Sequence, residues 1–267
     1  MDYISLSFFD LALAALLMLI NGGLSIGLGL GLERTLLVNS LRMTVQLMLI
    51  GFVLKFIFVQ TNPLWTFGLA LIMILLAGRE ILARQSYRLK GHQAYGLGTG
   101  TLLMVGFFCT LFAIGLLVQP DPWYSPRYVL PILGMVLGNT MTGIGLGMET
   151  LTTSIKSERG VIEGRLSLGE PRFVALKGHI RKAMKNGMMP IINAMAASGV
   201  ISLPGMMTGQ IISGVDPVDA TKYQLMIMFL IAGGTALGTT MGVLGMGFLL
   251  TDERHRLRLD RLKTDET

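Results

Sequence analysis

The sequence predicts an all-α polytopic membrane protein of about seven transmembrane helices, N-terminus outside and C-terminus inside, with a cytoplasmic helix between spans five and six. Three observations carry that reading. Of the 267 residues, 52% are hydrophobic and 14% are charged, too apolar a balance for a water-soluble domain of this length. The apolar residues fall in repeated runs close to the roughly 20 that a bilayer-spanning helix needs. Lysine and arginine gather in alternate connections: segments 33–42, 79–95, 151–187 and 251–267 hold all of them except Lys55, Arg127 and Lys222. Positive residues beside a span resist translocation, so these segments face the cytoplasm.

The expected spans are 8–32, 43–59, 65–83, 96–118, 129–150, 188–214 and 218–250, all within one transmembrane domain over 1–267. No basic stretch precedes the first span, so it is expected to be retained rather than cleaved. Lys55 lies near the outer end of span two, where its amine reaches the interface while its stem stays in lipid. Trp65, Trp123, Tyr124, Tyr128 and Tyr223 fall on the outer side, and Tyr87 and Tyr95 flank an inner loop, as amphipathic rings at headgroup level do. Glycine recurs at spacing four in span one (Gly23, Gly27, Gly31), span five (Gly134 and Gly138, then Gly143 and Gly147) and span seven (Gly234, Gly238, Gly242). Such rows let helices approach closely, either within one subunit or at a moving or intersubunit seam. The single cysteine, Cys109, lies in an apolar run, where a packed thiol is inert. A net charge of +6 confined to cytoplasmic loops points to the membrane surface and not to nucleic acid.

The one extended inner connection is 151–187, too long for a turn and too short for an enzyme domain. Gly169 and Pro171 separate two helical stretches within it, so the spacing predicts helix, glycine turn, helix. A projecting hairpin of this kind docks in a groove of a soluble partner or lies on anionic lipid. The basic tail 251–267 is expected as a short amphipathic helix or a frayed end, in contact with the inner leaflet or with a partner.

Within this loop EGRLSLG (163–169) resembles the short cytoplasmic EAA-loop of ABC importer permeases: Glu163 and Gly169 keep the spacing, while Gly164 and Arg165 stand where alanines are usual. ISLPGMMTGQIISGVDPVDATKYQLMI (201–227), RMTVQLMLIGFVLKFIF (42–58) and PILGMVLGN (131–139) closely resemble the FetB (YbbM-like) permease family of bacterial ABC-type iron exporters. The resemblance implies a multi-pass permease subunit in the bacterial inner membrane, exporting iron or another metal. It also implies a separate ABC ATP-binding subunit that carries ATP and Mg and a permease homodimer in a two-plus-two complex. Related plant membrane subunits are associated with aluminium tolerance, so the metal stays open. The residues it places at the ATPase contact are Glu163, Arg165, Leu166, Leu168, Gly169, Pro171 and Arg172. No G-x-x-x-x-G-K-[ST] phosphate loop occurs in the chain, so no cofactor is expected on it.

Unpaired polar groups are costly in hydrocarbon, so the polar residues of the spans are the pathway candidates. They are Asn21, Gln46, Asn139, Thr140, Thr142, Asn193, Ser198 and Gln210, each with interhelical hydrogen bonding as the plainer role. Asn139 and Asn193 stand out because they lie in spans five and six, which flank the coupling loop. Pro204 interrupts the sixth apolar run and is expected to break or kink the helix, with the thioethers of Met206 and Met207 beside it. No span interior holds histidine or aspartate, so metal-binding residues are not legible. A secondary transporter would show intramembrane ionisable residues or internal repeats, and an intramembrane enzyme a nucleophile with its base; neither pattern is evident. The alternatives kept beside the metal exporter are a secondary transporter and an ABC permease for a non-metal substrate.

Overall fold

The computed structural model describes residues 7–60 and 62–264. The described chain is helical apart from one two-stranded ribbon, and six of its helices are long and apolar enough to cross a membrane. It divides into two compact units, Met1–Asn62 with Ile212–Gly214, and Pro63–Ile211 with Val215–Thr267.

The first unit is a hairpin of α1 (Phe8–Gly27) and α2 (Glu33–Ile57). Ser7 caps α1 in a capping box with Asp10, supplying an acceptor to an otherwise orphan N–H. The sequence suggested a first span to residue 32 and an inner segment over 33–42. Instead, Gly29 and Gly31 take positive φ and turn the chain early, and 33–42 is already helix. The buried Ser25 hydroxyl fixes the turn by donating to Glu33 (2.7 Å) and accepting from the Leu32 N–H (2.9 Å). Most other side chains of the hairpin are exposed, and the greater part of them are apolar, a surface that lipid covers. Gly22 and Gly23 meet no neighbour and line an apolar groove of about 750 Å³ between the two helices.

The second unit is a five-helix core of α3 (Pro63–Ala83), α4 (Gln93–Phe112, continued by a π-helical turn to Val118), α5 (Pro126–Ser157), α8 (Lys177–Ala197) and α10 (Pro217–Leu249). Glycine contacts fix their directions. Met73 meets Gly134 and Arg84 meets Gly145, so α3 and α5 are parallel. Gly147 meets Val243 and Gly143 meets Thr239, so α10 is parallel to α5. Leu97 against Gly245 and Cys109 against Gly234 make α4 antiparallel to α10. Gly187 meets Gly143, and the Ala183 carbonyl meets Gly147, so α8 runs back along α5 in the opposite sense. Two parallel helices separated in sequence require a return leg. It is α8, whose basic first half keeps it outside the six most apolar helices.

The sixth expected span therefore differs from a single helix over 188–214. It begins at Lys177 within the expected loop, stops at Ser198, and resumes only as α9 (Gly205–Ile212). The interruption is a full break. Gly199 takes φ +90° and donates to the Ser202 carbonyl, and the Ser198 and Ser202 hydroxyls donate to the carbonyls of Ala194 and Ala197. Pro204 marks the end of this break and not a kink within a helix, as its missing donor and fixed φ allow.

Gly134, Gly143 and Gly147 of α5 and the row of α10 pack within this unit, whereas Gly138 of α5 and Gly23, Gly27 and Gly31 of the first row meet nothing. Cys109 is buried against Gly234, as expected of an inert thiol.

Candidate functional site

The inner connection folds as helix, turn, helix: α6 (Arg159–Ser167), the turn at Gly169, and α7 (Arg172–Ala175), which leads into α8. Leu168 is the C-cap of α6, and Gly169 takes φ +90°. The Glu170 N–H donates to the Arg165 carbonyl and the Gly169 N–H to the Leu166 carbonyl, the paired bonds of a Schellman stop. Only glycine adopts that φ cheaply, so the sequence spacing from Glu163 to Gly169 places a sharp, fixed corner at the tip.

Arg165 holds the corner from inside. It pairs with Glu170 at 2.7 Å and donates to the Ala175 and Val174 carbonyls. Leu166 packs on the main core, whereas Leu168 points away and is 86% exposed. Glu163 is half-exposed and pairs with Arg159 (2.8 Å). Pro171 caps α7 in extended conformation. Arg172 stacks over Phe173 and Phe248, whose rings meet edge to face at 4.6 Å, and donates to the Asp252 carbonyl. At the hairpin root, His179 of α8 hydrogen-bonds Ser154 of α5, with the Glu158 carboxylate 3.9 Å from its other nitrogen.

Arg172 thus ties the hairpin to the C-terminal tail, which is neither a helix nor frayed over its described residues. Asp252 accepts the backbone N–H groups of Arg254 and Arg256, and such local bonds compete with helix formation. The chain then turns at Leu259–Arg261 and forms strand β2 (Leu262–Thr264), antiparallel to β1 (Tyr87–Leu89) with Leu89 opposite Leu262. Hairpin, tail and the connection between α3 and α4 form one basic platform. An open cleft of about 630 Å³ on it is lined by Arg172, Arg254, Arg256 and Arg261 together with Phe248 and Asp252.

Side-chain hydrogen bonds from Arg258 hold the Asp260 carboxyl down to about 2 from an ordinary 3.8. Asp252 is lowered as well, first by the Arg256 N–H. Both groups are more acidic folded than unfolded, so their contribution to tail closure is complete above about pH 4 and lost as pH falls towards about 2. Pepsin, normalised to an unstructured peptide, is therefore expected to release the tail quickly at pH 2 and slowly at pH 4.

The membrane candidates separate into three groups. Gln46 is exposed on α2. Asn139 and Asn193 are exposed on α5 and α8, with the Asn139 amide donating to the Met135 carbonyl at 2.9 Å. Thr142 lies beside them, half-buried, donating to the Gly138 carbonyl and accepting from Arg84 at 3.4 Å. Arg84 also pairs with Glu80 (4.0 Å), so a charged and polar strip runs from α3 onto α5. Beyond the break, Met206 packs on the second core cluster, and Met207 sulfur lies 3.9 Å from the Thr221 hydroxyl. Among the described residues no three His, Cys, Asp or Glu side chains stand together as a metal centre.

Sequence reasoning passed over a fourth group, Gln224, Thr235 and Thr239 of α10, because threonine is ordinary in spanning helices and usually bonds its own backbone. Here all three are buried, and their side-chain oxygens lack a hydrogen-bond partner among the described residues. Their spacing was the available signal: positions 224, 235 and 239 fall on one helical face.

No solved structure matches the chain. Among curated proteins, it is 35% identical over 216 residues to the UPF0014 membrane protein slr1647 of Synechocystis (79% of this chain, 81% of the relative). It is 33% identical over 229 residues to the Arabidopsis thaliana protein ALUMINUM SENSITIVE 3 (85% and 81%). It is 31% identical over 254 residues to the probable iron export permease protein FetB of Escherichia coli (95% and 96%). The sequence profile of the uncharacterised protein family UPF0014 matches residues 8–248, nearly the whole helical region, and the chain belongs to that family of multi-pass membrane proteins.

Proposed function

We propose that this chain is the membrane permease subunit of an ABC-type transporter, exporting iron or another metal ion with ATP and Mg bound by a separate ATP-binding subunit. The observation that carries the reading is the corner at Gly169, which presents a bare leucine, Leu168, from a basic platform at one end of the bundle. An exposed apolar knob on a rigid, hydrogen-bonded turn suits insertion into a groove of a soluble partner. The relative named a probable iron export permease supplies the substrate class.

Charge supports the direction. In the second unit, every lysine and arginine except Arg127 and Lys222 lies towards the end where α3, α5 and α10 finish. Trp65, Trp123, Tyr124, Tyr128 and Tyr223 gather at the other end. That asymmetry supports a cytoplasmic hairpin with the C-terminus beside it, in a bacterial inner membrane. Reporter fusions after residue 267 and within 119–128 are expected to give opposite signals; matching signals contradict the topology.

The strip of Asn139, Thr142 and Asn193 supports a permease homodimer. These groups lie about midway along the long helix α5 and on the facing stretch of α8, where exposure to acyl chains is costly. A second copy enclosing a polar pathway relieves that cost, and an ABC cycle needs two nucleotide-binding domains closing on each other. Purification with the ATP-binding subunit is expected to give a two-plus-two mass, and a fully active one-plus-one complex contradicts the pairing.

A further inference from the structure

Helices α5, α8 and α10 approach closely where they meet in the second unit. A Cβ added at Gly187 would lie 2.6 Å from the Gly143 carbonyl oxygen and 2.6 Å from Thr239 Cγ2. One added at Gly143 would lie 2.6 Å from Thr239 Oγ1, 2.7 Å from Thr235 Cγ2 and 3.0 Å from the Gly187 carbonyl oxygen. Thr140 closes the same seam from α5, against Gly234 and Gly238. Helix backbones there touch without interlocking side chains.

Small residues alone would explain close packing. They do not explain the hydroxyls. Thr140, Thr235 and Thr239 are at most 1% exposed, and none of their oxygens has a hydrogen-bond partner among the described residues. A buried, unpaired hydroxyl costs about 1–3 kcal/mol, and valine has the same shape without that cost. Gln224, equally unpartnered, lies three turns before Thr235 on the same face of α10, so the polar line extends about 22 Å to Thr239. Such a line is comparable to most of the hydrocarbon thickness.

We infer that this seam is a closed segment of the translocation pathway, which opens during transport and offers the hydroxyls of Thr140, Thr235 and Thr239, with the Gly143 and Gly187 carbonyls, to the passing cation. The inference rests on the permease reading above. Hydroxyl and carbonyl oxygens suit hard or borderline divalent cations held weakly in transit. The mechanical link is short, because α5 and α8 are the two helices that run directly into the hairpin. A movement of the hairpin shifts Gly187 against Gly143, and smooth glycine surfaces permit that sliding.

The test uses the full chain with its ATP-binding subunit in proteoliposomes, with ferrous iron and manganese as probe ions. Thr239→Val and Thr140→Val are expected to fold and bind the ATP-binding subunit as wild type does, with unchanged or raised stability, while export falls about tenfold. In a separate Thr239→Cys variant, a membrane-impermeant thiol reagent is expected to label the introduced thiol about tenfold faster during ATP turnover than at rest. Peptide mapping distinguishes that site from Cys109, whose continued protection excludes general loosening. Export by both valine variants within about twofold of wild type, or a thiol at 239 that stays unreactive while wild-type export proceeds, overturns the inference. Absence of ATP-driven export by the wild-type complex overturns the permease reading itself.

Discussion

Gly187→Ala is expected to destabilise the folded protein by about 3 kcal/mol, and Gly187→Val to prevent its accumulation in the membrane. Alanine normally gains about 1 kcal/mol over glycine inside a helix. At Gly187 that gain is outweighed, because the new carbon would meet the Gly143 carbonyl, a backbone atom that has no rotamer to change. Relief would require α8 to move away from both α5 and α10. Gly233→Ala supplies the comparison: it lies on the exposed face of α10 with no atom within 4 Å, and is expected to be neutral or slightly stabilising. Unfolding in mixed detergent micelles measures both. Equal stability of the two variants would mean that α8 does not lie in the groove between α5 and α10.

The second large effect is expected at the hairpin tip. Leu168→Asp should leave the unfolding midpoint unchanged, since the side chain is already in solvent, yet reduce recovery of the ATP-binding subunit about tenfold or more. Gly169→Pro should have the same outcome by another route. Proline fixes φ near −65°, whereas Gly169 sits at +90° and donates its N–H to Leu166, so the corner cannot form. Glu163→Lys replaces the exposed Glu163–Arg159 pair with like charges, at a stability cost of at most about 1 kcal/mol. A loss of coupling larger than that cost predicts would place Glu163 in the contact. If all three variants retain the partner and its activity, the hairpin is not where the partner docks.

The helices were legible because long apolar runs have few alternatives: α3, α5 and α10 begin within three residues of the expected starts. Charge distribution supports the proposed direction, since it depends on sequence position and not on packing. The hairpin was legible for a similar reason, as Gly169 and Pro171 punctuate the only long basic connection. What failed depended on contacts between distant segments. The tail reads locally as an amphipathic helix, and nothing nearby shows that Leu262 will pair with Leu89. The helix α8 was misplaced because its basic first half resembles a loop, although tertiary packing against α5 keeps it continuous through Gly187. Thr235 and Thr239 were overlooked because a hydroxyl's lack of a partner is a three-dimensional property. Asn139 and Asn193, chosen for polarity alone, do lie on neighbouring helices, but at the exposed face of the unit and not at its buried seam.

The most direct test of the permease reading is metal efflux from proteoliposomes that contain this chain and its ATP-binding subunit, loaded with ferrous iron and followed by a chelating dye. The expected result is efflux that requires ATP and Mg, stops when the ATP-binding subunit's phosphate-loop lysine is replaced, and fails in Leu168→Asp vesicles with normally inserted permease. Efflux that proceeds equally without ATP, or with this chain alone under an ion gradient, would contradict it and mark the chain as a secondary transporter.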